Sequence, residues 1–276
     1  MKQITIQNIL DFKKSDIPFA TLTAYDYTSA KIVDSAGIPL ILVGDSAAMV
    51  MLGHNNTLPI SMEEMKLFVK AVSKGAKNAL VVADMPFMSY QSSVKNSLEN
   101  AGEFIKECGA NAVKLEGGEQ IIPQITAMVD AGIPVMGHIG LTPQSVHQMS
   151  GFKVQGKSVS SAKKLIKDSL KIQDAGAFSL VLEGIPSELA KIITKNLEIP
   201  TIGIGAGPHC NGQIQVFHDI LGLDNSFNPK HGKIYINLQN KIIKAIKSYK
   251  TEVKEKKFPT PKNSTKLNSS VLKSIP

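Results

Sequence analysis

The chain has 276 residues, 43% of them hydrophobic, which allows one large domain with a substantial core. No apolar run approaches the length of a membrane span, and two cysteines outside any CxxC spacing exclude a disulfide-stapled scaffold. The formal net charge of +8 is uneven, because twelve lysines and only two glutamates fall from Lys230 onward and the rest of the chain is nearly neutral. A basic tail is a candidate nucleic-acid contact, but the chain contains no arginine, the residue best suited to bidentate base contacts. Neither a nucleic-acid nor a membrane partner is therefore expected. The opening MKQITIQNIL lacks the apolar stretch of a signal peptide, and with reduced cysteines the chain reads as cytoplasmic.

Along the chain, ITIQNILDFKK predicts a helix closing the bottom of a barrel. FATLTAY predicts a strand, followed by a helix over 26–36. IPLILVG predicts a second strand, then a loop, then a helix over 62–74. NALVVAD precedes a helix over 92–108, and NAVKLEG one over 119–130. IPVMGHI precedes a loop and a helix over 160–174, and FSLVLEG precedes a helix over 187–196. IPTIGIG and QIQVFHDILG supply the seventh and eighth runs, the eighth ending on His218 and Asp219 as a polar lid, before a last helix near 238–248. Strand-length runs alternating with helix-length stretches indicate βαβ units. Eight of them favour an α/β chain of the (β/α)8 TIM-barrel class over an open sheet. CGANAVKLEGGE and AGAFSLVLEGIP echo each other and place Glu116 and Glu183 at equivalent strand ends. Periodicity fades after about Thr251. The expected organisation is one catalytic barrel over 1–257 and a basic, poorly ordered tail over 258–276.

Four of these runs stop at an acid: LILVGDS at Asp45, LVVADMP at Asp84, AVKLEGG at Glu116 and LVLEGIP at Glu183. A buried strand ending in a carboxylate delivers charge to the C-terminal rim of a barrel, where chemistry sits. Carboxylates converging there repel one another unless a cation or a proton holds them. Asp45 and Asp84, on neighbouring strands, offer hard oxygen ligands suited to Mg²⁺. A single such Asp is equally well read as a turn cap; four acidic strand ends make that reading weaker. Lys114 shares a face with Glu116 and serves either as a substrate clamp or as half of a structural ion pair. Schiff-base chemistry is disfavoured, since the nearby carboxylates keep the amine charged. Glu183 is a candidate general base, and His138, between glycines, is either a core histidine or close to a ligand. GIGAGPHCNGQ resembles a phosphate-cradling loop but reads better as a tight turn, and no second pair of ligands accompanies His209 and Cys210.

TAYDYTSAKIVDSAG, ILVGDSAAMVMLGHNNTLPISMEEM, VVADMPFMSY, VKLEGG, MGHIGLTPQS, VLEGIP and IGIGAGPHCNGQIQVFHDILGL follow in this order. Together they closely resemble the ketopantoate (3-methyl-2-oxobutanoate) hydroxymethyltransferase family, over roughly residues 4–251. The resemblance implies a barrel of the phosphoenolpyruvate/pyruvate type. It implies hydroxymethyl transfer from 5,10-methylenetetrahydrofolate to 3-methyl-2-oxobutanoate, giving ketopantoate for pantothenate biosynthesis. Carried over by motif, Asp45 and Asp84 would bind Mg²⁺ with Glu116 joining directly or through water. Asp45, Ser46, Asp84, Lys114 and His138 would contact the keto acid or the transferred group, and Glu183 would be the base. Folate would fall to loops around 49–58 and 205–213. The resemblance also implies a homodecamer, a pentamer of dimers. Two departures stand out: Lys153 and Lys157 lie where the family often has Arg, and the segment after Phe258 lies outside the shared pattern. A Mg²⁺-dependent C–C lyase acting on a 2-oxo or 2-hydroxy acid is the alternative, and folate dependence separates the two. The catalytic loop cysteine typical of such lyases is not found. A third reading, a basic-tailed binding module on an inert barrel, gives no reason for convergent carboxylates.

Overall fold

The computed structural model describes residues 3–15, 17–224 and 230–275. The chain divides into two compact units, Met1–Phe217 with Pro229–Gly232, and His218–Asn228 with Lys233–Pro276.

In the first unit, eight parallel strands close into a barrel in the order β1-β2-β3-β4-β5-β6-β7-β8. They are β1 Phe19–Thr23, β2 Leu40–Val43, β3 Leu80–Asp84, β4 Ala112–Glu116, β5 Val135–Gly140, β6 Ser179–Glu183, β7 Thr201–Ile204 and β8 Gly212–Gln215. The helices are α1 Ile6–Ser15, α2 Tyr27–Ser35, α3 Ala47–Val50, α4 Met62–Gly75, α5 Val94–Lys106, α6 Ile122–Asp130, α7 Val159–Asp174 and α8 Ser187–Asn196. Every residue of β2, β3 and β4 is buried, because parallel strands of this kind are covered on both faces. Polar caps set the helix starts. The Asp26 carboxylate accepts the Thr28 and Ser29 N–H groups at 2.8 and 3.0 Å, and reciprocal boxes of Ser61 with Glu64 and of Ser158 with Ser161 open α4 and α7. Each such cap contributes about 1 kcal/mol.

As the sequence predicts, α1 plugs the end of the barrel where the strands begin. Its Ile9 is fully buried against Phe19, Leu40, Leu80 and Ala112 at the starts of their strands. Truncating Ile9 to Ala would cost roughly 2–5 kcal/mol. The chemistry of the barrel is thereby confined to the opposite rim.

The structure departs from the sequence reading in several places. The loop after β2 contains the short helix α3. Residues 205–211 join β7 to β8 without a helix, with Gly205 and Gly207 at φ 62° and 77°. That is the tight turn rather than the phosphate loop, since a strand and not a helix N-terminus follows it. The eighth strand stops at Gln215, so His218 and Asp219 do not end it; they lie in α9, Phe217–Leu221. The Phe217 N–H donates to Thr23 Oγ1 at 3.0 Å, which turns the chain out of the ladder.

In the second unit, α10 runs from Leu238 past residue 248 to Lys254, opened by Asn237, whose side chain accepts the Asn240 N–H at 3.1 Å. No residue of α10 is buried, and Ile242, Ile246, Tyr249 and Val253 form one exposed apolar stripe. The tail expected to be irregular contains a 3₁₀ turn at Pro261–Asn263 and a single helical turn α11, Ser269–Leu272. Local capping by Thr260 with Asn263 and by Asn268 accounts for both turns.

Candidate active site

Strand register assembles the site. Lys114 on β4 lies opposite Asp84 on β3, and Glu116 lies opposite His138 on β5. Gly140, two residues beyond His138, lies opposite Glu183 on β6. Partners in a parallel sheet point the same way about 4.8 Å apart, and residues two apart on one strand share a face. Lys114, Glu116, His138 and Glu183 are thus brought side by side. Gly140 is required here: at φ 99° it adopts a conformation disfavoured for other residues, and a Cβ would fall 2.2 Å from the Glu183 carbonyl oxygen.

The contacts are close. Lys114 Nζ lies 2.7 Å from Asp84 Oδ1 and 3.3 Å from Glu116 Oε1. His138 Nδ1 lies 3.3 Å from Glu116 Oε1, and its Nε2 lies 3.3 Å from Glu183 Oε2, neither aligned well enough for a hydrogen bond. The Asp45 N–H donates to Asp84 Oδ2 at 3.1 Å. Ser46, next in the chain, shares a 2.7 Å hydrogen bond with the Tyr25 hydroxyl. Asp45, Asp84 and Glu116 are all buried and each offers an oxygen within 4.8 Å of the others; among the described residues no other such acid, His or Cys cluster forms. The side chain of Glu183, 15% exposed, is the most open carboxylate of the group.

Electrostatics follow from this crowding. Burial, reinforced by Asp84 and Glu116, pushes the Asp45 carboxyl well above its usual range. Burial also raises Asp84, although Lys114 partly opposes it. Burial alone would raise Glu116 too, but Lys114 and His138 beside it hold it down at about 2. Burial works against the charge on Lys114, yet Asp84, Glu116 and Asp45 keep its pKa above that of a free lysine. The same contest, with Glu116 winning over burial, raises His138 to about 9. Ionised together, Asp45, Asp84 and Glu116 exceed the positive charge that Lys114 and His138 supply. A hard, oxygen-seeking divalent cation fits such a donor set.

Of the residues assigned to the site from the sequence, Asp45, Asp84, Lys114, Glu116, His138 and Glu183 converge here, and Ser46 reaches the group through its neighbour Asp45. Two residues that sequence reasoning passed over join it. Gln144, in the loop after β5, donates from Nε2 to Asp45 Oδ2 at 3.0 Å and from its backbone N–H to Glu116 Oε2 at 3.1 Å. Tyr90, in the loop after β3, accepts the Glu116 N–H at 3.1 Å; burial and then the Glu116 charge raise its pKa well above 10, so it stays a donor. Both residues lie inside quoted motifs, GLTPQS and MPFMSY, but nothing in their spacing marks them. Further out, Asp168 on α7 accepts the Glu119 N–H at 3.2 Å. It packs so closely that a Cβ at Gly118 would fall 2.2 Å from its Oδ2.

Comparison with known proteins decides the family. The sequence model of ketopantoate hydroxymethyltransferase matches residues 3–261. This chain belongs to that family. A 3-methyl-2-oxobutanoate hydroxymethyltransferase of Dehalococcoides mccartyi is 53% identical over 271 residues, covering 98% of this chain and 97% of the relative. That span takes in most of the segment after Phe258, so the shared pattern extends further than the motifs suggested. Among solved structures, a phosphonopyruvate hydrolase in complex with oxalate and Mg²⁺ matches with TM-score 0.61 at 12% identity, covering 95% of this chain and 93% of that one. A 2,3-dimethylmalate lyase, a member of the PEP mutase/isocitrate lyase superfamily, matches with TM-score 0.58 at 17% identity, covering 98% and 93%. These two likenesses show the (β/α)8 barrel fold.

Proposed function

We propose that this chain transfers a hydroxymethyl group from 5,10-methylenetetrahydrofolate to C3 of 3-methyl-2-oxobutanoate, giving ketopantoate. The observation that carries the reading is the knot of Asp45, Asp84, Glu116, Lys114, His138 and Glu183 at the C-terminal rim, in a member of this family. Asp45, Asp84 and Glu116 would hold Mg²⁺, and a fold neighbour carries Mg²⁺ together with the small dicarboxylate oxalate. When bound, Mg²⁺ supplies Lewis-acid polarisation of the keto acid's oxygens.

The chain's own residues do the rest. Glu183, the most open carboxylate, takes the proton from C3, and the C–H electron pair moves into the C2–C3 bond as charge develops on the ketone oxygen. The ammonium of Lys114, kept charged by Asp84 and Glu116, stabilises that charge. Ser46, its hydroxyl held by Tyr25, helps seat the keto acid. Water takes the one-carbon unit off the folate as formaldehyde, releasing tetrahydrofolate; C3 then forms its bond to that carbon as the C=O electron pair moves to oxygen, leaving an alkoxide on the new hydroxymethyl group. His138, with Nε2 3.3 Å from Glu183 Oε2, is the group we assign to protonate that alkoxide.

The catalytic barrel is assigned to residues 1–257, with the following tail dispensable for chemistry. Among the described residues no helix is long and apolar enough to cross a membrane; the proposed location is the cytoplasm. The proposed assembly is a homodecamer, and the exposed apolar stripe of α10 supports self-association. The alternative lyase has less in its favour: both cysteines, Cys108 and Cys210, are buried rather than presented on a loop at the carboxylates. The test is product analysis by mass spectrometry with the keto acid, methylenetetrahydrofolate and Mg²⁺, omitting each in turn. Ketopantoate formed only with all three supports the transferase; folate-independent C–C cleavage of a 2-oxo acid supports the lyase.

A further inference from the structure

Gln144 is buried, and every hydrogen-bonding position of its amide is used. Nε2 donates to Asp45 Oδ2 at 3.0 Å and to the Met85 carbonyl at 2.9 Å. Oε1 accepts from the Gln91 amide at 3.2 Å and lies 2.8 Å from the Tyr90 hydroxyl. The backbone N–H of the same residue donates to Glu116 Oε2 at 3.1 Å. One residue therefore touches two of the three clustered carboxylates, one just past the end of β2 and one on β4, strands that do not neighbour each other in the barrel. Tyr90 completes the arrangement. Strand β3 ends at Asp84, so it offers no ladder partner to the Glu116 N–H, and the Tyr90 hydroxyl accepts that N–H in its place. Its single proton then goes to Gln144 Oε1 or to the Glu116 carbonyl at 2.9 Å.

A residue needed here only to fill space would be apolar. A buried amide that is fully bonded gains nothing over a well-packed methionine in volume, but it fixes direction. One side-chain N–H faces an Asp45 oxygen and the backbone N–H faces a Glu116 oxygen, which offsets part of the carboxylates' mutual repulsion and fixes the rotamers that converge.

We propose that Gln144, braced by Tyr90, is a positioning residue that sets the spread of Asp45 and Glu116 for a divalent cation. The inference rests on the metal role given to those carboxylates above. Partners that orient ligands in this way typically change metal affinity by about 10- to 100-fold when removed.

The experiment measures Mn²⁺ binding to the full-length protein, without substrate, from loss of the free-ion EPR signal. Wild type, Gln144→Met and Tyr90→Phe are compared, with circular dichroism to confirm folding. Gln144→Met keeps the reach of the side chain and the backbone N–H to Glu116 but removes the side-chain donors to Asp45 and Met85; the expected result is Mn²⁺ affinity weakened about 10- to 100-fold. Tyr90→Phe, a one-atom change, is expected to weaken it by a smaller factor. If Gln144→Met does not fold, Tyr90→Phe alone decides. Wild-type affinity in the folded variants overturns the positioning role while leaving the metal site intact. No Mn²⁺ binding by the wild type overturns the metal assignment itself, and this inference with it.

Discussion

His138 sits between two carboxylates, and the account predicts that it is an imidazolium at neutral pH in the cation-free protein. Burial alone would discharge it, but Glu116 at 3.3 Å outweighs burial and raises its pKa from 6.5 to about 9. The difference corresponds to roughly 3 kcal/mol. Because the folded-state pKa is raised, this stabilisation is fully present below about pH 6.5 and is lost as pH rises through about 9. His138→Gln should therefore destabilise the EDTA-treated protein at pH ~6, and the gap between variant and wild type should shrink by roughly 3 kcal/mol by pH ~10. Urea unfolding at the two pH values reads the gap. ¹³C NMR of labelled histidine, with His138→Gln assigning the signal, reads the titration directly. A His138 titration at or below 6.5, or a pH-independent stability gap, would refute the claim that Glu116 governs this ring. The prediction bears on function, because an imidazolium beside Glu183 is able to give a proton to a newly formed alkoxide.

Other consequences are equally exposed. Asp45→Ala and Asp84→Ala should each abolish Mg²⁺-dependent ketopantoate formation and weaken Mn²⁺ binding; unchanged Mn²⁺ affinity in both would remove them as ligands. Glu183→Gln should stop C3 proton exchange while the keto acid still binds by calorimetry, and undiminished exchange would dismiss it as the base. Lys114→Met leaves the buried carboxylates without their cation and should cost roughly 3–5 kcal/mol in EDTA, with added Mg²⁺ recovering part of the loss; equal thermal stability of variant and wild type in EDTA would contradict the pairing. Deleting residues after Phe258 should leave specific activity intact, and a large loss would show that the tail serves the site.

Much of the site was legible because strand geometry is periodic. An apolar run that ends in Asp or Glu carries both the strand and the position of its charge, so Asp45, Asp84, Glu116 and Glu183 could be placed from sequence alone. The spacing of Lys114 and Glu116 gave their common face in the same way. Other features depended on tertiary contact. Gln144 and Tyr90 reach the carboxylates from irregular loops, where no period reports direction. The end of β8 was hidden because QIQVF alternates like a strand, while the turn that ends it comes from Thr23, 194 positions away in sequence. Helix α3, with four residues, is too short to show a repeat. The length of α10 was underestimated because its lysines break the apolar pattern near Thr251 while its backbone continues to Lys254.

The most direct test of the central claim is C3 proton–deuteron exchange in 3-methyl-2-oxobutanoate, followed by NMR with Mg²⁺ or with EDTA, and then with methylenetetrahydrofolate added. The account predicts exchange that requires Mg²⁺, is lost in Glu183→Gln, and gives way to ketopantoate once the folate is present. Absence of exchange under every condition would mean that the rim carboxylates do not form an enolising site.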